Sequence, residues 1–478
     1  MRAPDIADLY GVMHYVRVVG LFVGLLAARP GLAAGAARQG AGWPPEPALF
    51  AATGTAVAPG LAVGDVLDRS NAARAAGLLP PEVLRHYENG DYRNAIASWP
   101  DGIMRRSPTF DAASAANVGR YALDPTTGTV VEAATGAPAA DIYGLPFKEI
   151  DPSDPDGGLK AVWNEFHSTW NAGAHHINFT IIWVRPQGLD RQATMESFFQ
   201  FYDNQEPAYR IPNPQQYTAQ SRTAVTAPAD LQGTVSLSYR YRDPERHDSL
   251  WTYVPSLRRV RVISASNRSD GMLGTDISLD DAHFFDAKPE DFTWQTVGLR
   301  EGLRLANPNS IRGENPSPRW TGNGWAPIAD GSLAVAGFQA PDWRGSAWAP
   351  LTAVLVKRRF WVVEAVPRDP DYLFGRLELW IDAESWLGAW SRKFSWKGEI
   401  AATYQLVGEV PSPASGPAGM APEWVTSEAT PWACMEAVPL GRATLAGMHT
   451  SPNQAQEFRT RLPVEELFSL AALTHQGR

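Results

Sequence analysis

The chain has 478 residues, of which 44% are hydrophobic and 19% are charged, and its formal net charge is −9. This length exceeds that of one ordinary domain and allows a large core. The acidic balance, without any basic tract, argues against nucleic acid as a partner. Pro (39) and Gly (41) are abundant, which predicts many turns and few long helices. The 18 Trp residues indicate a large core, a lipid-like ligand or stacking on sugars.

The N-terminus has the pattern of a secretory signal peptide. The apolar run Val18–Ala28 follows a basic residue, and small residues at 34–36 supply a cleavage pattern. This run is too short to span a bilayer. We therefore expect residues 1–36 to be a cleaved signal peptide and residues 37–60, rich in Ala, Gly and Pro, to be a flexible lead-in. Translation from Met13 would give a more regular signal peptide.

The chain contains one cysteine, Cys434, so it cannot form an internal disulfide. A secreted chain without disulfides is more typical of the bacterial periplasm than of a eukaryotic exterior. We therefore expect the mature protein to be a periplasmic protein of a Gram-negative bacterium.

Residues 61–142 are predicted to form an N-terminal helical region. Pro81 stands in the first turn of one helix, where a missing backbone donor does no harm. Farther along, Asp154 or Asp156 is placed to cap a helix that runs from 158 to about 171. The acidic residues before that helix lack the spacing of a calcium-binding EF-hand loop, so they predict a helix cap and no metal.

Beyond residue 171 the chain is dominated by strands. Strict alternation of apolar and polar residues over 235–242 predicts the clearest strand, and another strand follows after a break at 243–245. Short connections between successive strands favour an antiparallel sheet. The predicted fold is mainly β within the α+β class, with a large curved antiparallel sheet or half-barrel wrapped around helices. This domain would span residues 143–478 and contain an irregular insertion at 303–350.

The sequence contains no recognised catalytic motif. It lacks a nucleophile elbow, a phosphate-binding loop and the spacings typical of zinc sites. His175 and His176 would point to opposite faces of a strand, which argues against joint metal ligation. Glu364 is expected to pair with Arg259 or Arg359 rather than to act as a general base. We therefore predict a protein that is not an enzyme, with no cofactor, no metal and no catalytic residue.

Aromatic residues on strands are the strongest functional signal. A core position is the ordinary explanation for each of them, but some would line an apolar cavity in the curved sheet. Tyr and Trp suit the mouth of such a cavity because their polar tips can face water. The candidate residues of this hydrophobic groove are Phe179, Ile181, Trp183, Phe199, Phe201, Tyr239, Tyr241, Trp251, Tyr253 and Trp361. The candidates for binding an anionic head group at the rim of the groove are Arg240, Arg242 and Arg259.

Several motifs, spread in order along the chain, resemble those of a known family. They are Tyr143–Phe147, Asp154–Asn164, Trp251–Arg261, Ser269–Gly271, Arg358–Ala365 and Trp380–Asp382. Over roughly residues 60–478 the chain resembles the bacterial periplasmic family labelled domain of unknown function 1329. Lys148 departs from the family, which usually has a second proline-like position there, and the region 303–350 matches no pattern of the family.

This resemblance implies a fold, a function and partners. The family is similar in fold to the LolA- and LolB-like lipoprotein carriers and receptors of the outer membrane, in which a curved sheet with a hydrophobic concave face wraps around helices. The resemblance implies a soluble periplasmic carrier of an acylated or lipidic molecule. The implied partners are that hydrophobic small molecule or acyl chain, an RND-type inner-membrane exporter and an outer-membrane protein. It implies no catalytic residue.

Three functions compete at this point. The first is a non-enzymatic periplasmic carrier or binding protein for a hydrophobic ligand. The second is a protein that binds carbohydrate or a cell-envelope polymer, with the same excess of Trp on an exposed face. The third and least favoured is a secreted hydrolase that uses the acidic loop 270–286. A closed apolar groove would favour the first function, and a flat row of exposed rings would favour the second.

Overall fold

The computed structural model describes residue 49 and residues 52–100, 102–168, 173–313, 317–326, 335–414, 416–420, 423–425, 432–447 and 456–476. The predicted signal peptide lies outside the described residues, as does most of the predicted lead-in. Across the described ranges, none of the helices is long and apolar enough to cross a membrane.

The N-terminal part of the described chain combines short strands with two helices. The strands are β1 (Ala56–Ala58), β2 (Leu61–Ala62), β3 (Val66–Leu67), β4 (Asn94–Ala97), β5 (Tyr121–Leu123) and β6 (Val130–Glu132). The helices are α1 (Pro81–Asn89) and α2 (Pro108–Ala116). Pro81 begins α1 and the left-handed Gly90 ends it, in keeping with the preferences of both residues. The region 61–142 is thus only partly helical. Its strands were not predicted, because strands this short give no clear period-two signal in the sequence.

The remaining elements belong mostly to one large sheet. Helix α3 (Gly157–Phe166) precedes it. The first strands are β7 (Ala174–Arg185), β8 (Gly188–Phe201), β9 (Tyr217–Ala227), β10 (Val235–Tyr241), β11 (Ser249–Val254), β12 (Arg259–Ile263), β13 (Phe292–Ala306), β14 (Arg319–Trp320) and β15 (Trp325–Ala326). The later strands are β16 (Val354–Pro367), β17 (Arg376–Asp382), β18 (Gly388–Phe394), β19 (Ile400–Leu406), β20 (Ser412–Ala414), β21 (Glu423–Val425), β22 (Ala433–Ala437), β23 (Arg442–Gly447) and β24 (Gln456–Phe458). Three short helices, α4 (Pro308–Arg312), α5 (Val464–Leu467) and α6 (Leu470–Gln476), complete the described chain.

The main sheet has the order β12-β11-β10-β9-β8-β7-β23-β22-β19-β18-β17-β16-β13, and each neighbouring pair is antiparallel. Strand β4 adds to β16 in a parallel orientation, and β24 pairs with β7. The sheet curves strongly, since residues of β9 and β19, which are distant in this order, line the same cavity. The face that lines this cavity is the concave face. The predicted mainly β fold with a large curved antiparallel sheet is confirmed.

The concave face packs against helix α3 and against residues 264–291. The two glycines that begin α3 allow the helix to approach the sheet closely. A Cβ atom at Gly157 would lie 2.7 Å from the ring of Trp361, and one at Gly158 would lie 2.9 Å from Val363. Helix and sheet share one buried cluster, so the predicted wrapping of the sheet around a helix is present at this position.

The convex face is covered as well. Near β10 and β11, Val235, Leu237 and Tyr253 pack in one cluster with Phe468, which follows α5, and Leu473 of α6. Near β17, β18, β22 and β23, a second cluster joins the sheet to a layer formed by α1, its neighbouring short strands and residues 335–353. A sheet that is buried on both faces needs many large apolar side chains, which explains much of the tryptophan content.

The irregular insertion expected at 303–350 begins later than predicted. Residues 303–306 continue β13, and Ala306 pairs with Val354 of β16. This end of β13 is fixed by a partner that is distant in the chain, so the local sequence does not show it. Part of the region is also well packed, because Trp348 is 6% exposed and lies in the layer on the convex face.

Trp390 gives a test of the two-sided burial. Its side chain is 1% exposed in the convex cluster, whereas Trp396 is 52% exposed. Each indole N–H donates to a backbone carbonyl oxygen at 2.8 Å, so the two residues differ mainly in burial. We expect Trp390→Ala to lower the free energy of unfolding by about 3–5 kcal/mol and Trp396→Ala by about 1 kcal/mol. Chemical denaturation measures both values, and equal losses would contradict the described packing.

His86 of α1 makes the convex layer sensitive to pH. Its ring nitrogens lie 3.4 Å from Asp91 and 2.7 Å from Glu436 of β22. Burial lowers the pKa of His86, but the bonds to both carboxylates outweigh burial and raise the pKa from 6.5 to about 9. Because the folded pKa is the higher one, the stabilisation is fully present below pH 6.5 and is lost as the pH rises through 9.

We therefore expect the free energy of unfolding to fall by an amount on the order of 3 kcal/mol between pH 6.5 and pH 9. His86→Gln should remove most of this dependence, since glutamine does not titrate. Urea titrations at a series of pH values measure it. The same slope in the wild type and the variant would show that another group is responsible.

Candidate functional site

The concave face and residues 264–291, called the covering segment from here on, border a partly open cavity of about 180 Å³. One wall of the cavity comes from strands β7, β8 and β9 and the other from β19, β22 and β23. The covering segment closes the third side. The apolar lining includes Ile177, Phe179, Ile181, Phe199, Met272, Ile277, Leu279, Phe284, Tyr404, Leu406, Ala433 and Ala446. A mostly apolar cavity with a few polar groups is typical of sites for hydrophobic small molecules.

One end of the cavity is closed by a cluster of rings. The rings of Phe199 and His283 lie 4.9 Å apart, and those of Phe201 and His283 lie 5.6 Å apart. His175 lies against Phe201 at 5.4 Å. Burial lowers the pKa of His175 to about 3, so its ring is neutral at physiological pH. This end of the cavity therefore carries no charge from His175 and is compatible with an apolar ligand.

The covering segment is seated on the sheet by Phe284. Its side chain is 2% exposed, and a Cβ atom at Gly388 would lie 1.9 Å from the ring. The ring of Phe284 can therefore pack at this position only because Gly388 has no side chain. His283 and Phe284 both have a positive φ, 54° and 91°, which is unusual for residues with large side chains. The surrounding contacts thus hold this turn in a conformation that the chain would not adopt alone.

Arg268 forms the centre of the ion pairs that fix the covering segment. Its Nε donates to Asp280 at 2.8 Å and its Nη2 donates to Asp286 at 3.0 Å. It also donates to the hydroxyl of Ser238 on β10 at 3.1 Å. Asp280 is fully buried and accepts a further hydrogen bond from Tyr372 at 3.0 Å. Burial raises the pKa of Asp280, although Arg268 opposes this effect, so the carboxylate depends on its partners to remain charged.

Arg240 of β10 joins the same network from the sheet. It contacts Asp248 at 3.0 Å and Asp286 at 3.0 Å. Burial raises the pKa of Asp248, but Arg240 and Arg268 outweigh burial and lower it below its ordinary value. Asp248 is therefore ionised at neutral pH and completes a network of two cations and three carboxylates with Asp280 and Asp286.

Two further ion pairs fix the covering segment to the other wall of the cavity. Asp276 accepts from Arg442 of β23 at 2.7 Å, and Asp281 pairs with the buried Lys393 of β18. The acidic side chains that drew attention in this part of the sequence thus hold the segment in place. Among the described residues, no group of three or more His, Cys, Asp or Glu is arranged to hold a metal ion.

Residues 66–327 match a family model described as "Protein of unknown function (DUF1329)", which is more than half of the chain. The chain belongs to the DUF1329 family. The family membership predicted from the sequence motifs is therefore confirmed.

Two solved structures are similar to this DUF1329 protein. A DUF1329 family protein from Desulfovibrio piger has 14% sequence identity and a TM-score of 0.44, and the alignment covers 68% of this chain and 100% of that one. A LolA superfamily protein from Nitrosomonas europaea has 14% identity and a TM-score of 0.35, with 63% and 91% covered. No curated protein matches the sequence.

Three of the candidate groove residues of this DUF1329 protein line the cavity: Phe179, Ile181 and Phe199. Phe201 lies beside it, in the ring cluster with His283. Trp183 is on the same face but is held outside the cavity, since its indole N–H donates to the carbonyl of Gly274 at 3.0 Å. The alternation along β7 and β8 thus places these residues on one face of the sheet, and three of them line the cavity.

The candidates on β10 and β11 lie elsewhere. Tyr239, Trp251 and Tyr253 belong to the convex cluster under the C-terminal helices. The cause is register: Ser221 of β9 lines the cavity and pairs with Ser238, so the neighbouring Tyr239 points away. The concave face of β10 therefore carries serine and arginine side chains.

Tyr241 and Trp361 also lie outside the cavity. The hydroxyl of Tyr241 lies 3.0 Å from that of Ser249, and the guanidinium of Arg246 lies 3.3 Å from the centre of the Tyr241 ring. Trp361 is 2% exposed beneath helix α3. Trp361 is on the concave face, but it is a core residue that supports the helix.

The three candidate rim arginines have different environments. Arg240 is buried in the ion network described above. Arg242 pairs with Asp141 at 2.7 Å and Asp203 at 2.8 Å. Arg259 is exposed on β12, at the edge of the sheet. The structure therefore does not bring these three side chains together around one opening.

The cavity-lining residues that were not predicted from the sequence come from two parts of the chain. One is a segment with no periodic pattern, for which only an acidic loop was predicted; it contributes Met272, Ile277, Leu279 and Phe284. Tyr404 and the other residues of β19, β22 and β23 lie on predicted or short strands that are distant from β7 in the chain. One usable signal was present, since a loop with many aspartates opposite a sheet rich in arginine is suited to ion pairing.

Removal of Arg268 tests whether the ion network holds the covering segment. Arg268→Met keeps the length of the side chain but leaves Asp280 without its cation. Because breaking a buried ion pair leaves a charge uncompensated, we expect a loss of about 3–5 kcal/mol in the free energy of unfolding. Amide hydrogen exchange within residues 276–286 should also become faster.

The exposed Arg261 on β12 provides the matched control. Arg261→Met should change the free energy of unfolding by no more than about 0.5 kcal/mol and leave the exchange rates of the covering segment unchanged. If Arg268→Met also left these rates unchanged, the network would not be what holds the segment on the sheet.

Proposed function

We propose that this protein is a non-enzymatic periplasmic carrier or binding protein for a hydrophobic ligand. The observation that supports the proposal is the apolar cavity between the concave face and the covering segment. Ion pairs fix the edges of the covering segment, while its apolar residues face the cavity. This arrangement gives a ligand an apolar interior and places the charged groups in contact with each other.

The cavity volume sets the scale of the ligand. An engineered cavity of about 150 Å³ is known to bind benzene, so about 180 Å³ accommodates roughly seven carbon atoms. Each buried CH₂ group contributes about 0.8 kcal/mol, which is enough for useful affinity without a charged anchor. A chain much longer than about eight carbon atoms requires the covering segment to move outward. The ion pairs then determine how readily the site opens.

The alternative function, binding of carbohydrate or a cell-envelope polymer, is less well supported. Stacking on sugars requires rings on an exposed face. Among the described residues, the large aromatic side chains with substantial exposure are Tyr209 at 40% and Trp396 at 52%. Trp361, Trp390 and Trp432 are buried in the clusters on the two faces of the sheet. The proposal of a hydrophobic ligand therefore accounts better for the placement of the rings.

The location and the partners are part of the same proposal. The pattern at residues 1–36 is that of a signal peptide, which supports delivery to the periplasm. The resemblance to a family of periplasmic carriers supports an RND-type inner-membrane exporter and an outer-membrane protein as partners. The exporter would supply or accept the hydrophobic molecule that the cavity holds.

A variant that fills the cavity tests the proposed function. Ala446 lines the cavity, and Ala446→Leu adds three carbon atoms to a space for roughly seven. We expect the variant to bind the neutral ligand 1-octanol at least tenfold more weakly than the wild type, as measured by isothermal titration calorimetry. The wild type should also show the negative heat-capacity change that accompanies burial of apolar surface.

Ala116→Leu is the matched control, because Ala116 is exposed at the end of α2. It makes the same chemical change away from the cavity and should leave the affinity unchanged. A wild type that does not bind 1-octanol, or an Ala446→Leu variant that binds it as tightly, would contradict the proposal.

A further inference from the structure

Arg304 is a buried arginine in the wall of the cavity. It lies near the end of β13, and its residue is 1% exposed. Its Nη2 donates to the carbonyl oxygen of Gly388 at 3.2 Å, and its Nη1 lies 3.4 Å from Asp382. A cation in this position is costly unless its charge and its donors are satisfied.

The carboxylate of Asp382 is already occupied by another arginine. Arg358 donates to its two oxygens at 2.8 and 3.0 Å in the fork geometry that gives the strongest pairs. The backbone N–H groups of Glu384 and Ser385 donate to the same carboxylate, each at 3.0 Å. The bond from Arg304 is the longest of these contacts, so Asp382 compensates the charge of Arg358 more fully than that of Arg304.

Two further observations separate the two arginines. Among the described residues, the Nε of Arg304 has no hydrogen-bond partner. Burial lowers the pKa of Arg304, whereas the carboxylates around Arg358 outweigh burial there and raise its pKa. The wall of the apolar cavity thus contains one guanidinium with an unused donor and incomplete charge compensation.

The backbone leaves room for this guanidinium. A Cβ atom at Gly408 would lie 2.4 Å from Nη2 of Arg304 and 2.8 Å from its Nε. Glycine at this position therefore allows the guanidinium to lie flat against the chain at the edge of the cavity. A single methyl group at residue 408 would force it to move.

The other charged groups of the cavity wall have partners. Asp281 pairs with Lys393, and Asp286 pairs with Arg240 and Arg268. The carboxylate of Glu409 accepts a hydrogen bond from the side-chain amide of Asn307 at 2.7 Å. One incompletely compensated cation calls for an anion with a single charge.

We propose that the ligand of this cavity is an amphiphile whose apolar chain ends in a single carboxylate, and that the guanidinium of Arg304 binds this carboxylate. The inference rests on the proposed function and specifies the chemical class of the ligand. A fatty acid fits because its head group is small and singly charged. A glycerophosphate head group fits less well, because its volume would have to be added to that of the chain in a space of about 180 Å³.

Binding of three ligands of equal chain length tests the inference. Sodium octanoate, 1-octanol and octyl phosphate are titrated by calorimetry into the mature protein after removal of bound lipid. We expect octanoate to bind at least about tenfold more tightly than 1-octanol, in line with a hydrogen bond to a charged group. Octyl phosphate binding more tightly than octanoate would overturn the assignment of a carboxylate.

Variants of Arg304 connect this preference to the proposed residue. Arg304→Met should reduce the preference for octanoate over 1-octanol to about twofold or less, while the affinity for 1-octanol stays the same. Arg304→Lys should retain part of the preference. Gly408→Ala provides an independent variant, because it displaces the guanidinium without removing its charge, and it should weaken octanoate more than 1-octanol. Arg261→Met, at the exposed edge strand, should change neither affinity.

The outcomes separate the two proposals. If 1-octanol does not bind to the wild type, the proposed function fails. If 1-octanol binds but octanoate binds no more tightly, or if the preference survives in Arg304→Met and Gly408→Ala, the role of Arg304 is overturned and the hydrophobic site remains.

Discussion

The buried ion network around Arg268 is the interaction on which the rest of the site depends. The covering segment buries Ile277, Phe284 and Phe285 in one cluster with the sheet, and ion pairs fix it on two sides. Arg268 and Arg240 hold Asp280 and Asp286, while Asp276 and Asp281 hold the opposite wall. Networks of this kind are costly to desolvate and gain their value from geometry. In this protein the network holds the covering segment at a fixed distance from the concave face, which leaves the cavity between them.

The two-sided burial of the sheet gives this cavity its rigidity. The convex face is covered by an N-terminal layer in one region and by the C-terminal helices in another. The strands that form the cavity walls are therefore supported from behind. The concave face is filled by helix α3 at one end and by the covering segment at the other. The unfilled space between the covering segment and the sheet is the cavity, so the site follows from incomplete filling of a curved sheet.

Much of the fold could be predicted from local patterns, and part of the site could not. Period-two alternation predicted the strands at 177–183 and 235–241, and Phe179 and Ile181 were correctly identified as neighbours on one face. Alternation separates two faces but does not tell which one is concave. The C-terminal helices settle this for Tyr239 and Trp251, and their contact with β10 is long-range. The role of Arg304 could not be predicted either, because its environment is formed by Asp382, Arg358 and Gly408, which come together only in the folded chain.

Hydrogen exchange with and without ligand tests the central claim that a hydrophobic ligand binds between the covering segment and the concave face. On addition of saturating 1-octanol, we expect slower exchange in residues 177–181, 197–199 and 277–284. We expect no change in residues 249–254 or in the C-terminal helices at 464–476. Slower exchange confined to those convex-face segments, with none in the covering segment, would contradict this binding site.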